Sequence, residues 1–138
     1  MPRVCTRRIL IGDVDSAGIA FTGRLVAIAM EVLEQGLAAA GLDWAALLRT
    51  GRYSAPMVHL EADFLRPLRH GEQIYGDLIC ERIGESSYTC RVDLIAPDSA
   101  AVAASVRFIA ACVDGRAFTA VPVPSEFRAA LESLLPRT

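Results

Sequence analysis

Residues 22–40, TGRLVAIAMEVLEQGLAAA, place Leu25, Ile28, Ala29, Val32, Leu33 and Leu37 at the three- and four-residue spacing of one helical stripe. That spacing predicts a single long, Ala-rich helix with one buried face, stopped at Gly41. Asp43 is positioned to cap a short second helix over residues 44–49. Beyond it the period drops to two. Pro56, Val58, Leu60, Ala62 and Phe64 alternate with His59, Glu61 and Asp63, as a half-buried strand requires.

Alternation returns in Tyr88, Cys90, Val92 and Leu94, and again in Val102, Ala104, Val106, Phe108 and Ala110. Residues 73–83 read as a less regular strand, and residues 3–11 as a first strand ending in the turn-prone Gly12–Gly18 segment. Turns are expected at 69–71, 84–86, 97–99 and 114–115, and a terminal helix from Pro124 to Leu135 with proline in its first turn. The order is strand, long helix, then a run of antiparallel strands. It predicts an α+β fold in which one long helix is wrapped by a curved antiparallel sheet of five or six strands. Residues 101–112 are small or apolar on both faces, which predicts an interior strand whose second face needs cover from another subunit.

The whole chain, residues 1–138, fits one domain, and a chain of that length buries about 68–70% of its unfolded surface. An apolar fraction of 53% excludes a disordered protein. All 14 basic residues are Arg, with no Lys or Asn anywhere, a usage we read as the mark of a GC-rich bacterial genome. Sixteen acidic residues are interspersed among them, so no basic stripe for nucleic acid forms. Cys5, Cys80, Cys90 and Cys112 contain no CxxC pair, which argues for free thiols in a reducing cytoplasm. The apolar run 25–42 is broken by Glu31, Glu34 and Gln35 and does not read as a membrane span. Only three apolar residues follow Arg7 and Arg8, too few for a signal peptide.

The densest polar cluster is Asp13-Val14-Asp15-Ser16-Ala17-Gly18-Ile19, where the first strand meets the long helix. A calcium loop fails because Ala17 and Arg24 occupy ligand positions. Two readings stay open. Asp15 and Ser16 cap a turn or helix start, or a carboxylate stands beside a helix N-terminus whose N–H groups polarise a carbonyl. Glu31 and Glu34 supply an alternative, a helix carboxylate facing a cleft. His59 shares a polar strand face with Glu61 and Asp63, and His70 falls in a turn. No GxSxG, Walker, GxGxxG or HExxH pattern occurs, and no metal site is expected.

Residues 12–21, GDVDSAGIAF, together with Pro56-Met57-Val58-His59, Phe64, Pro67 and Gly71-Glu72, resemble the 4-hydroxybenzoyl-CoA thioesterase-like branch of the hotdog superfamily. The look is nearest to its 1,4-dihydroxy-2-naphthoyl-CoA thioesterases, and the resemblance spans about residues 5–120. It implies hydrolysis of an aromatic acyl-CoA, with coenzyme A as part of the substrate and no separate cofactor. It also implies Asp15 as the catalytic carboxylate and the Thr22 backbone N–H as the carbonyl-polarising donor. Gly18, Ile19, Val58 and His59 are implied in the substrate pocket, and Arg82 is the single candidate for a CoA phosphate. The family's arginine-rich patch is absent, and Thr22 stands where an aromatic residue is usual. Sites in this family form between subunits, so a homodimer or homotetramer is implied. A hotdog hydratase or dehydratase, or a non-catalytic acyl-binding subunit, is the alternative on the same fold.

Overall fold

A computed structural model describes residues 3–98 and 101–136. The predicted long helix, α1, spans Thr22–Ala39 and buries the expected stripe of Leu25, Ile28, Ala29, Val32, Leu33 and Leu37, with Gly36 added. Gly36 is fixed by close approach: a Cβ there would overlap the Leu78 side chain and press on Val4. Helix α2, Trp44–Thr50, starts as the sequence suggests, with the Asp43 carboxylate accepting from the Ala46 N–H at 3.0 Å. It ends at Gly51, whose φ of 60° lies in the left-handed region that glycine tolerates. Helix α3 covers Ser125–Glu132, with Pro124 just before it.

Five antiparallel strands form the main sheet in the order β1–β4–β5–β6–β3. They are β1 Arg3–Arg8, β3 Met57–Phe64, β4 Gln73–Ile83, β5 Ser87–Ile95 and β6 Val102–Ala111. Two short strands, β2 Tyr53–Ser54 and β7 Val113–Asp114, pair separately. The sheet packs its apolar face on α1, which touches β1, β4, β5 and β6. Leu78, Cys80, Cys90, Val92, Ala104, Val106, Phe108 and Ala110 are fully buried there. This is the hotdog arrangement. Serine 99 of the expected 97–99 turn lies outside the described residues.

Three expectations shift. The first strand stops at Arg8, not at residue 11, because the Asp13 carboxylate takes the Leu10 N–H at 2.8 Å and bends Ile11–Asp13 into a 3-10 turn. Val58 does not join the inward row of its strand. The register of β3 against β6 slips between Met57 and His59, and Met57 takes the inward place opposite Ala110.

Strand β6 is interior, between β5 and β3, but its outer face is not an apolar surface awaiting cover. Arg107 projects there, 2.6 Å from Glu81 and 3.3 Å from Glu61, while Arg91 lies 2.9 Å from Glu81. Paired charges solvate that face. The exposed apolar surface lies instead along β3 and just past it, where Val58, Leu60, Phe64 and Leu65 are 41–62% exposed.

Candidate active site

The chain between β1 and α1 folds back on itself. Asp15 N–H donates to the Ile19 carbonyl at 3.0 Å, and Phe21 N–H donates to the Asp13 carbonyl at 3.2 Å. Gly18, at φ +75°, makes the reversal possible. The reversal is pinned from outside by His70, whose N–H donates to the Gly18 carbonyl, and by Ala20 N–H donating to the Leu68 carbonyl. Asp15 is thereby placed opposite Ile19 in the hairpin that leads into α1. Its carboxylate accepts the Ala17 N–H at 2.9 Å within the loop, an Asx turn, and is otherwise exposed to solvent.

Asp15 therefore does cap a turn, as one of the two sequence readings has it, but it does not cap α1. The helix N-cap is Phe21, whose side chain makes no capping hydrogen bond. Arg24 and Leu25 donate the first N–H groups to the Phe21 carbonyl. The N–H groups of Thr22 and Gly23 precede that first turn and have no intrahelical acceptor. An exposed carboxylate in the loop that leads into an uncapped helix N-terminus offers an attacker and carbonyl-polarising N–H groups on one connected segment.

Asp13, two residues earlier, behaves oppositely. It is 1% exposed, with Arg7 Nη1 2.6 Å from one carboxylate oxygen and Arg24 Nη2 2.8 Å from the other. Burial opposes its ionisation, but the hydrogen bonds from Arg7, Leu10 N–H and Arg24 outweigh it and hold its carboxyl well below the usual carboxylate range. Arg7 also reaches Glu31 on α1, with Nε 2.9 Å from the carboxylate. One buried acid thus ties β1, the loop and the first turn of the helix together. Sequence reasoning missed this cluster, because Arg7 and Arg24 lie on different elements and carry no local spacing signal.

A cavity of about 660 Å³ opens elsewhere on α1. Its wall comes from Ala27, Met30, Glu31 and Glu34 on α1, from α2 and the β2–β3 region, and from Tyr88 and Phe127. Of the residues singled out from the sequence, Glu31 and Glu34 line it, as do Pro56 and Met57 of the motif at the start of β3. Gly18 and Ile19 stay in the hairpin loop, Val58 and His59 lie on the edge strand, and none of the four reaches the cavity. His59 pairs with Glu61 on the outer sheet face, Nε2 to Oε1 at 3.0 Å. Arg82 is exposed on β4. Among the described residues no group of three or more His, Cys, Asp or Glu side chains is arranged for a metal, and no single helix is long and apolar enough to cross a membrane.

The profile of the thioesterase-like superfamily matches residues 9–131. A 1,4-dihydroxy-2-naphthoyl-CoA hydrolase from Rippkaea orientalis is 35% identical over 108 residues, covering 76% of this chain and 78% of the relative. Another with that name, from Nostoc punctiforme, is 24% identical over 127 residues, covering 92% and 84%. Among solved structures, the 1,4-dihydroxy-2-naphthoyl-CoA thioesterase from Synechocystis superposes with a TM-score of 0.87 at 21% identity, covering 94% of this chain and 95% of that one. A thioesterase superfamily protein from Jannaschia gives 0.84 at 26% identity, covering 99% of each. The resemblance and the hotdog fold inferred from the sequence are therefore correct: this chain belongs to the thioesterase-like superfamily.

Proposed function

We propose that this protein hydrolyses an aromatic acyl-CoA thioester, of the 1,4-dihydroxy-2-naphthoyl-CoA or 4-hydroxybenzoyl-CoA type, using the Asp15 carboxylate. The observation that carries the proposal is the exposed Asp15 carboxylate in the hairpin that leads directly into the uncapped N-terminus of α1. A thioester carbonyl bound there puts its oxygen on the Thr22 N–H, which stabilises the negative charge that develops on that oxygen. Asp15 then attacks the carbonyl carbon, or takes a proton from the water that does. The C–S bond breaks, and CoA thiolate leaves and takes up a proton. On the general-base route the free acid remains. On the nucleophilic route water then hydrolyses the mixed anhydride formed on Asp15, releasing the free acid and regenerating the carboxylate. Superfamily membership and the shared name of the relatives support thioester hydrolysis over hydration. Arg82, exposed at the end of β4, is the candidate for a CoA phosphate.

The site is completed by a second copy of the chain in this reading. At about 1.5 Å of rise per residue, Ala27 stands about 7.5 Å and Glu34 about 18 Å along α1 from Thr22. A short aromatic acyl group with its carbonyl at Thr22 does not span to the middle of the cavity on its own chain. Pairing of two β3 edges would cover the exposed Val58, Leu60 and Phe64, and this reading requires that it bring the cavity of one subunit to the Asp15 loop of the other. The reducing cytoplasm fits an enzyme whose four cysteines are free.

The test is thioester hydrolysis by the intact protein over a panel of aryl-CoA, fatty acyl-CoA and acyl-carrier-protein thioesters, read as free thiol. Turnover of the aryl-CoA members that is lost in Asp15→Asn is the expected result. A panel with no aryl-CoA turnover overturns the proposal.

A further inference from the structure

The cavity on α1 is large, mostly apolar and unlike a closed core void. Its about 660 Å³ falls within the range of roughly 300–1,000 Å³ common for small-molecule pockets. Four aromatic side chains contribute to its wall: Trp44, Tyr53, Tyr88 and Phe127. Tyr53 and Phe127 meet edge to face at 6.2 Å between ring centroids, and Tyr88 lies tilted on Phe127 at 5.2 Å. Rings packed this way form a rigid, flat-sided wall suited to another ring. Burial and the nearby Glu126 carboxylate push the Tyr53 phenol up to about 12, so it stays protonated at neutral pH.

Two charged side chains, Glu31 and Glu34, share that wall, and they differ. Glu31 is neutralised by Arg7 at 2.9 Å. The Glu34 carboxylate has no cationic or hydrogen-bonding partner among the described residues, and its backbone carbonyl accepts the Trp44 indole N–H at 2.9 Å. Trp44 is thus locked against the turn of α1 that carries Glu34. Ala27, Met30 and Glu34 follow one helix face, so the carboxylate is presented beside the apolar wall instead of on the far side of the helix.

Resting on the thioesterase reading above, we infer that this cavity receives the aromatic ring of the acyl group and that Glu34 is a specificity-determining residue, accepting a hydrogen bond from a ring hydroxyl. An unpaired acceptor at the rim of an aromatic slot favours a phenolic ring over the same ring without its hydroxyl. The worth of a hydrogen bond to a charged group sets the preference at about tenfold or more. Glu34 acts here through binding, so its loss raises KM for hydroxylated substrates and leaves kcat near wild type. Loss of Asp15 does the reverse.

Binding can be read without turnover, because Trp44 is the only tryptophan in the chain. The intact 138-residue chain is titrated with 4-hydroxybenzamide and with benzamide, neutral probes whose amide carbonyl stands in for the thioester, and Trp44 fluorescence is followed. Both quench, with the hydroxylated probe about tenfold tighter. In Glu34→Met that ratio falls to near one with benzamide unaffected, and Glu34→Gln, which keeps an acceptor, recovers part of it. Met30→Trp, which fills the cavity, weakens both probes as measured by calorimetry. Equal binding of the two probes to wild type, or an unchanged ratio in Glu34→Met, overturns the inference. If the probes discriminate as stated while no thioester is hydrolysed, the hydrolase reading fails and the assignment of the cavity stands.

Discussion

Asp13 and Asp15 stand two positions apart on one loop and meet opposite surroundings: Asp13 is 1% exposed between Arg7 and Arg24, whereas Asp15 is open to solvent and accepts only the Ala17 N–H. The first carboxylate has every oxygen committed to holding the loop on the sheet and helix. The second has acceptor capacity left for a proton or a carbonyl carbon. Division of labour between the two acids is a consequence of which one the arginines reach.

The first prediction concerns turnover. Asp15→Asn keeps the size of the side chain and its Asx turn but removes the negative charge. Loss of a general base costs ~10²–10⁴-fold in kcat, and loss of a nucleophile can cost more. The melting temperature should move little, because asparagine is an equally good turn acceptor. Steady-state kinetics on a verified aryl-CoA checks it. Retention of near-wild-type kcat moves the chemistry to a helix carboxylate, and Glu31→Gln and Glu34→Gln then identify which.

Asp13→Asn should show the complementary pattern, damaging stability more than chemistry. It leaves Arg7 and Arg24 facing a neutral amide in a buried site, at a cost of about 2–3 kcal/mol. For a domain of this size that is roughly 6–12 °C in melting temperature. The pH dependence has a definite sign. A carboxyl held below its unfolded value contributes its full stability above about pH 4 and loses it as pH falls toward the depressed folded value. The gap between wild type and Asp13→Asn is therefore widest near neutrality and closes below about pH 4. Melting curves from pH 7 to pH 2.5 test this, and a gap independent of pH would rule the ion-pair account out.

How much of this could be read from the sequence follows from the range of the forces involved. The helix of residues 22–39 and the strands around Leu60, Val92 and Val106 show in apolar spacing, which is local information. Asp43 as a cap is equally local. The Arg7–Asp13–Arg24 cluster unites two elements and a loop, and nothing in the spacing of its members announces it. The charged outer face of β6 was hidden for the same reason. Arg107 is a single charge within a strand of otherwise small, apolar or hydroxyl side chains, and its partners Glu81 and Glu61 come from β4 and β3, far away in sequence. The cavity is more remote still, because its wall is assembled from α1, α2, α3 and strand ends between residues 27 and 127.

Close packing of α1 on the sheet supplies a prediction with competing terms. In an exposed helix, Gly36→Ala gains about 1 kcal/mol of helix propensity. Here the added Cβ overlaps the Leu78 side chain and crowds Val4, so it forces the helix away from β4. Overpacking of this kind costs about 1–3 kcal/mol and outweighs the propensity gain. A net loss of stability in urea is the expected result. Gly36→Ala combined with Leu78→Ala should recover part of it, and a stabilised single variant would show that the helix has room to shift.

The last prediction is oligomerisation, and its physical ground is the edge of the sheet. Strand β3 pairs with β6 on one side only, so its other edge presents unpaired backbone groups flanked by Leu60 and Phe64, 41% and 44% exposed. An open edge with apolar side chains invites a second strand, and proteins that remain monomeric blunt such edges with charge, proline or a bulge. The bulge in β3 sits at its start, between Met57 and His59, and leaves Leu60–Phe64 free to pair. Isologous pairing of two such edges yields a closed twofold dimer, and light scattering at micromolar concentration should give at least twice the chain mass of 14.8 kDa. Leu60→Glu with Phe64→Glu places like charges opposite one another across the twofold axis and should yield monomers that remain folded but lose aryl-CoA turnover. A wild-type monomer would remove the shared site. A double variant that stays dimeric would place the interface elsewhere on the molecule, and one that is monomeric yet fully active would confine the site to one chain.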